Sequence, residues 1–167
     1  MWEKLNIKFK KYPARMRVAR KMFELGLRLD DNKDIYCGNL KINHVSLANA
    51  ANVDRRAIKS TIDVICGDED LSEIFKNIIP AGTLLKNIAK SLGLGVIEIE
   101  VGKDNEGILS STTALISSKG VSIRQAYAED TKMEEFPVLT VITEEPVPGD
   151  IINEFLKIDG VKRISVY

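Results

Sequence analysis

The chain has 167 residues, 44% of them hydrophobic, 29% charged and 6% aromatic, and a formal net charge of zero. This allows one domain or two small ones with a real apolar core, and it excludes collagen-like, disordered and disulfide-scaffold classes. The longest run of apolar residues and glycines, Leu92 to Ile97, is far short of the ~18 residues that span a bilayer, and no apolar leader follows the basic N-terminus.

Pro13 suits the first position of a helix. After it Met16, Ala19, Phe23 and Leu27, flanked by Val18, Met22 and Leu25, recur at helical spacing, while Arg17, Lys21 and Arg28 share the opposite face. The pattern predicts an amphipathic helix of about four turns with a basic back. Asp30-Asp31-Asn32-Lys33 is a polar break, and Ile35 to Ile42 reads as extended chain interrupted by Gly38-Asn39. His44 to Ala51 and Arg55 to Ile65 are two short helical segments around Asn52-Val53-Asp54, closed by Gly67 and Asp68-Glu69-Asp70. Two further helices are predicted, roughly Leu71 to Ile78 and Ala81 to Leu92, separated by Pro80 and capped by Gly93.

From Val96 the period becomes two, with Ile97, Ile99 and Val101 on one face. A helix follows from Gly107 to about Lys119, stopped by Gly120; then come strands Val121 to Glu129 and Val138 to Thr143, a helix from Gly149 to Lys157, and a last strand from Val161 to Tyr167. Strand, helix, strand, strand, helix, strand is the split arrangement of an antiparallel sheet with both helices on one face. The expected fold class is α+β: an N-terminal all-α, helix-turn-helix-like domain over residues 1–92, then a ferredoxin-like βαββαβ domain over residues 93–167.

The zero net charge hides an asymmetry. Residues 1–92 carry 17 Lys and Arg against 11 Asp and Glu, and residues 93–167 carry 7 against 13, a balance of +6 facing one of −6. A basic half of this kind suits a polyanion, although solvated surface charge gives the same count. Within it, Ala48 is small enough for two helices to cross closely, Asn52 tolerates a left-handed backbone, Val53 is expected to be buried, and Asp54 is a good N-cap. Ile58, Ile62 and Ile65 then face the core. Arg55, Arg56, Lys59 and Ser60 are left at the exposed start of the second helix, where a recognition helix meets base edges. Arg17, Lys21 and Lys41 are candidate phosphate contacts, with His44 or Ser46 near the backbone. The bland alternative is a pair of solvated arginines, one of them paired with Asp54.

The sequence offers little to chemistry. His44 is the only histidine, and no cluster has metal-ligand spacing. Gly93 and Gly95 follow a helix and precede a strand, the wrong order for a dinucleotide fingerprint. No nucleophile–base pair is visible, so neither an enzyme, a metal site nor a cofactor is expected. Cys37 and Cys66 lack CxxC spacing, and the expected setting is reduced and cytoplasmic.

Three segments carry a resemblance: Lys103-Asp104-Asn105-Glu106-Gly107-Ile108-Leu109, Lys119-Gly120-Val121-Ser122-Ile123 and Gly160-Val161-Lys162-Arg163-Ile164. Together they resemble the ACT domain, a small module that senses amino acids. With Tyr12-Pro13, Asp54-Arg55-Arg56, Pro80-Ala81-Gly82 and Ile123-Arg124-Gln125-Ala126, the whole chain resembles an archaeal family of predicted regulators of amino-acid metabolism, built from a helix-turn-helix and an ACT domain. Asp104 and Ser122 stand where asparagine is frequent in that module, and Glu106 where proline is. The resemblance implies an effector-responsive regulator that forms a homodimer through its C-terminal half. Its amino-acid site would involve Asp104, Asn105, Glu106, Gly107, Ile108 and Leu109, completed by Ser122 and Arg124. Open amide groups at the start of the helix near Gly107 suit a carboxylate, and Asp104 and Glu106 an ammonium group. Equally, these acids could serve only the helix N-terminus. The half could also be purely a dimerisation surface, burying a sheet face with residues such as Val96 and Val121 or their strand alternates. The other class of function considered is a regulatory subunit that senses an amino acid for a biosynthetic enzyme without touching DNA.

Overall fold

The computed structural model of the chain describes residues 1–102 and 106–167. The chain divides into two compact units, Met1–Gly82 and Thr83–Tyr167.

The first unit opens with helices α1 (Trp2–Phe9) and α2 (Pro13–Glu24). α1 precedes the first element read from the sequence; it buries Leu5 and Phe9, one turn apart, and sets the Trp2 ring edge-on to Phe23 at 5.1 Å. α2 is shorter than expected. Gly26 adopts φ +62° and stops it, and Leu27–Leu29 continues as strand β1 with both leucines buried. Strands β2 (Ile35–Cys37) and β3 (Leu40–Ile42) form a hairpin around Gly38-Asn39, and β1 pairs with β2 to give a three-stranded antiparallel sheet. The first unit is therefore not all-α. The expected helical row through Leu27 gave way because a left-handed glycine ends a helix whatever apolar residues follow. α3 (His44–Ala51), α4 (Arg55–Cys66) and α5 (Glu69–Lys76) complete the unit. One core holds it together, drawing on Leu5, Val18, Met22, Leu29, Ile58 and Phe75 among others.

The second unit contains β4 (Gly95–Val101), α6 (Ile108–Ser118), β5 (Ile123–Ala128), β6 (Val138–Thr143), α7 (Ile151–Phe155) and β7 (Val161–Val166). Its sheet runs β5-β6-β4-β7 with every neighbour antiparallel, consistent with a ferredoxin-like arrangement. Ile97, Ile99, Leu139 and Val141 meet Ile108, Ile116, Ile151 and Phe155 of the two helices.

Residues 81–92 were expected as a helix of the first domain. From Thr83 onward they instead belong to the second unit, with two short 3-10 turns, Lys86–Ile88 and Lys90–Leu92, ended by left-handed Gly93. Non-local contacts decide this. Ala89 and Leu94 pack on Val96 and Ile142 of the sheet, and the Gln125 side chain accepts from Leu85 N at 3.0 Å and donates to Thr83 O at 2.9 Å. Val96 is accordingly 3% exposed, and Val121 is 6% exposed within the helix-side core, so neither lies on an open face.

Candidate functional site

α3 and α4 form a helix-turn-helix, and short-range chemistry builds it. Asn43 caps α3 by accepting from Ser46 N at 2.8 Å. Asn52 takes φ 51°, ψ 57°, the left-handed turn, and Val53 N closes back on Ala48 O at 3.0 Å. Asp54 caps α4: its Oδ1 accepts from Arg56 N at 2.8 Å and from Arg56 Nε at 3.0 Å. The backbone N–H of Arg56, then its guanidinium, hold the Asp54 carboxyl below the usual carboxylate range. Ile58, Ile62, Ile65 and Ala48 are buried, and Val53 is half-buried.

This leaves Arg55, Arg56 and Lys59 exposed at the start of α4. Arg56 is the one paired with Asp54. Ser60 is half-buried rather than exposed: it accepts from Arg15 Nε of α2 at 3.2 Å and donates to Ala57 O at 3.1 Å. Arg17 reaches across from α2 and donates to the Asn52 carbonyl at 3.4 Å. Lys21 is ion-paired with Glu24, and Lys41, on the hairpin, with Asp34. His44 is half-buried and Ser46 exposed at the start of α3.

In the second unit a cleft of about 410 Å³ opens beside the N-terminus of α6. Glu106, Gly107, Ile108 and Leu109 line one side, and Ala128, Glu129, Pro137 and Val138 belong to the other. Gly107 precedes α6 with φ +81° and, among the described residues, no side chain caps it. An added Cβ at Gly107 would come no nearer than 3.7 Å to Ser110 Oγ, so glycine serves the backbone angle rather than clearance. Glu129 accepts from Val138 N at 3.0 Å, which fixes one carboxylate at the cleft wall. Asp104 and Asn105 lie outside the described residues. Ser122 and Arg124 are not brought to the cleft. Ser122 precedes β5 and Arg124 is its second residue, roughly 13 Å along the strand from Ala128, where Arg124 pairs with Glu144 at 3.3 Å.

Among the described residues no cluster of His, Cys, Asp and Glu could hold a metal, and no helix is long and apolar enough to cross a membrane.

No protein-family model and no curated protein matches the chain. Solved structures that resemble it include the ACT domain of GTP pyrophosphokinase from Chlorobium tepidum, at 20% identity over 44% of this chain and 96% of that one, TM-score 0.35. A transcriptional regulatory protein of the AsnC family from Pyrococcus furiosus is 12% identical over 92% of this chain and 85% of its own, TM-score 0.28. AsnC of E. coli is 12% identical over 93% and 89%, TM-score 0.26. At such values the functional reading rests on the geometry of this chain.

Sequence reasoning missed Arg15, and it quoted Tyr12 only for the resemblance, not as a partner of Arg15. Arg15 continues the buried row of Val18, Ala19 and Met22 toward α4, a place where an apolar side chain is expected. Its guanidinium lies 4.2 Å over the Tyr12 ring. The available signal was the aromatic three residues before an arginine at a helix start.

Proposed function

We propose that the chain is an amino-acid-responsive transcriptional regulator. The observation that carries this is the N-terminal turn of α4, held by left-handed Asn52 and the Asp54 cap, with Arg55, Arg56 and Lys59 exposed on it. A recognition helix presents such residues to base edges in the major groove, where an arginine bonds guanine through two hydrogen bonds. Arg17 meets phosphate beside the turn. Lys21 and Lys41 would exchange Glu24 and Asp34 for phosphates, at little cost because exposed ion pairs contribute little. One unit with a few phosphate contacts binds duplexes at micromolar affinity or weaker, so specific control takes a homodimer reading two half-sites.

In the second unit the amino acid lies in the cleft beside α6. Its carboxylate faces the amides after Gly107, and its ammonium faces Glu106 and Glu129. Asp104 and Asn105 are carried as ligand contacts by the resemblance alone, and Ser122 and Arg124 reach the ligand only from a second copy. The apolar walls at Ile108, Leu109, Pro137 and Val138 favour a ligand with an apolar side chain. A differential affinity of about 1.4 kcal/mol between two dimer arrangements changes operator binding tenfold. No chemical step, metal or cofactor enters this reading, and it places the protein in the cytoplasm.

A salt-dependent gel shift tests the DNA arm. Arg55→Ala with Arg56→Ala should abolish retardation; an unchanged shift rejects the assignment. Thermal-shift screening of the twenty amino acids tests the effector arm: at least one with an apolar side chain should stabilise the protein, and none doing so rejects it. The second reading, a regulatory subunit that binds an enzyme rather than DNA, draws on the cations already neutralised at Arg56, Lys21 and Lys41. It predicts amino-acid binding with no gel shift at low salt.

A further inference from the structure

Arg15 is held unlike the other cations near α4. It is half-buried, its guanidinium stacks on the Tyr12 ring at 4.2 Å, and its Nε–H donates to Ser60 Oγ at 3.2 Å. Ser60 is itself oriented by its bond to Ala57 O. Lys21, Lys41 and Arg56 each have a carboxylate partner; Arg15 has none among the described residues. A guanidinium that has lost part of its water to a ring and a hydroxyl, without a counter-charge, is poorly satisfied until an anion arrives. Its Nη atoms are not used by either contact, and this planar fork matches the two oxygens of a phosphate.

The position suits a nucleic-acid backbone. Ser60 lies one turn beyond Arg56 on the same face of α4, so Arg15 is bonded to the face that carries Arg56. Arg17 bonds Asn52, just before α4 begins. Arg15 and Arg17 of α2 thus bracket the first turns of the recognition helix. Contacts from a flanking helix set the register of a protein on a duplex, whereas base edges are read from the recognition helix.

We infer that Arg15, stacked on Tyr12 and anchored by Ser60, is a preorganised binding site for a phosphodiester of duplex DNA. This rests on the DNA-binding reading above. Ser60 is then a positioning residue for Arg15 and makes no base contact of its own.

The test is fluorescence anisotropy of the full chain on labelled duplexes of several sequences, titrated with NaCl. Arg15→Gln keeps a polar side chain of similar reach without the charge. It should weaken binding about tenfold on every duplex alike and flatten the slope of log affinity against log salt by about one unit. Arg15→Lys should keep the slope while binding more weakly, because an ammonium lacks the fork. It also serves if Arg15→Gln fails to fold by circular dichroism, and wild-type affinity for Arg15→Lys then overturns the inference. Ser60→Ala should lower affinity without changing the slope. Wild-type affinity and slope for folded Arg15→Gln overturn the inference and leave DNA binding by α4 standing. A loss confined to one duplex, with the slope unchanged, assigns Arg15 to a base and overturns the phosphate site. A wild-type chain that binds no duplex at low salt overturns both readings.

Discussion

Gly26 and Pro80 meet so closely that a Cβ on the glycine would lie 2.6 Å from the proline Cα and 2.9 Å from its nitrogen. Gly26 also sits at φ +62°, where other L-residues are strained. The contact ties the chain just after α2 to the segment that leaves α5.

Gly26→Ala should therefore destabilise by more than about 2 kcal/mol, the left-handed penalty plus a clash with backbone that cannot rotate away. Gly38→Ala is the control. Gly38 has φ +56° but nothing within 4 Å of an added Cβ, so that variant should lose only about 1 kcal/mol. Urea unfolding of both reads the difference, and equal losses would show that the Pro80 contact costs nothing.

Asp68 caps α5 by accepting from Leu71 N at 3.1 Å, and it takes Lys4 and Lys8 of α1 on its two oxygens at 2.8 Å each. Its carboxyl is held well below the usual carboxylate range, chiefly by the Lys4 bond, then by Lys8 and the Leu71 amide. The folded state thus prefers the ionised form. The associated stability is present above the unfolded pKa of about 3.9 and is lost as pH falls toward the folded value. Asp68→Asn keeps the capping oxygen without the charge. It should be less stable than wild type at pH 7 and lose less stability on acidification below about pH 4. Parallel wild-type and variant curves of unfolding midpoint against pH would reject the linkage.

Thr112 on α6 is fully buried, and its hydroxyl is without a hydrogen-bond partner among the described residues. An unsatisfied buried hydroxyl costs about 1–3 kcal/mol. Thr112→Val replaces it with a methyl group of nearly the same shape, so thermal unfolding should move upward. A drop in Tm would mean that the hydroxyl has a partner in solution.

The helix-turn-helix was legible because each device in it acts over a few residues. Asn52 carries its own left-handed tolerance, Asp54 bonds two residues along, and the spacing of Ile58, Ile62 and Ile65 declares the buried face. The alternating strand from Val96 to Val101 and the glycines that bound α6 were readable for the same reason. Ser122 and Arg124 were drawn toward the cleft by likeness to a motif, and the direction of β5 carries them to its other end.

The sequence by itself thus determined the local elements, the turn that presents α4 and the uneven division of charge, since these follow from neighbours along the chain. Tertiary structure alone decided that Leu27–Leu29 joins a sheet, that residues 83–94 cover the second unit's strands instead of extending the first unit, and that Arg15 reaches Ser60 of α4. Each of those outcomes turns on a surface supplied by a distant segment, and periodicity registers only that a side chain is apolar or charged, not which partner meets it.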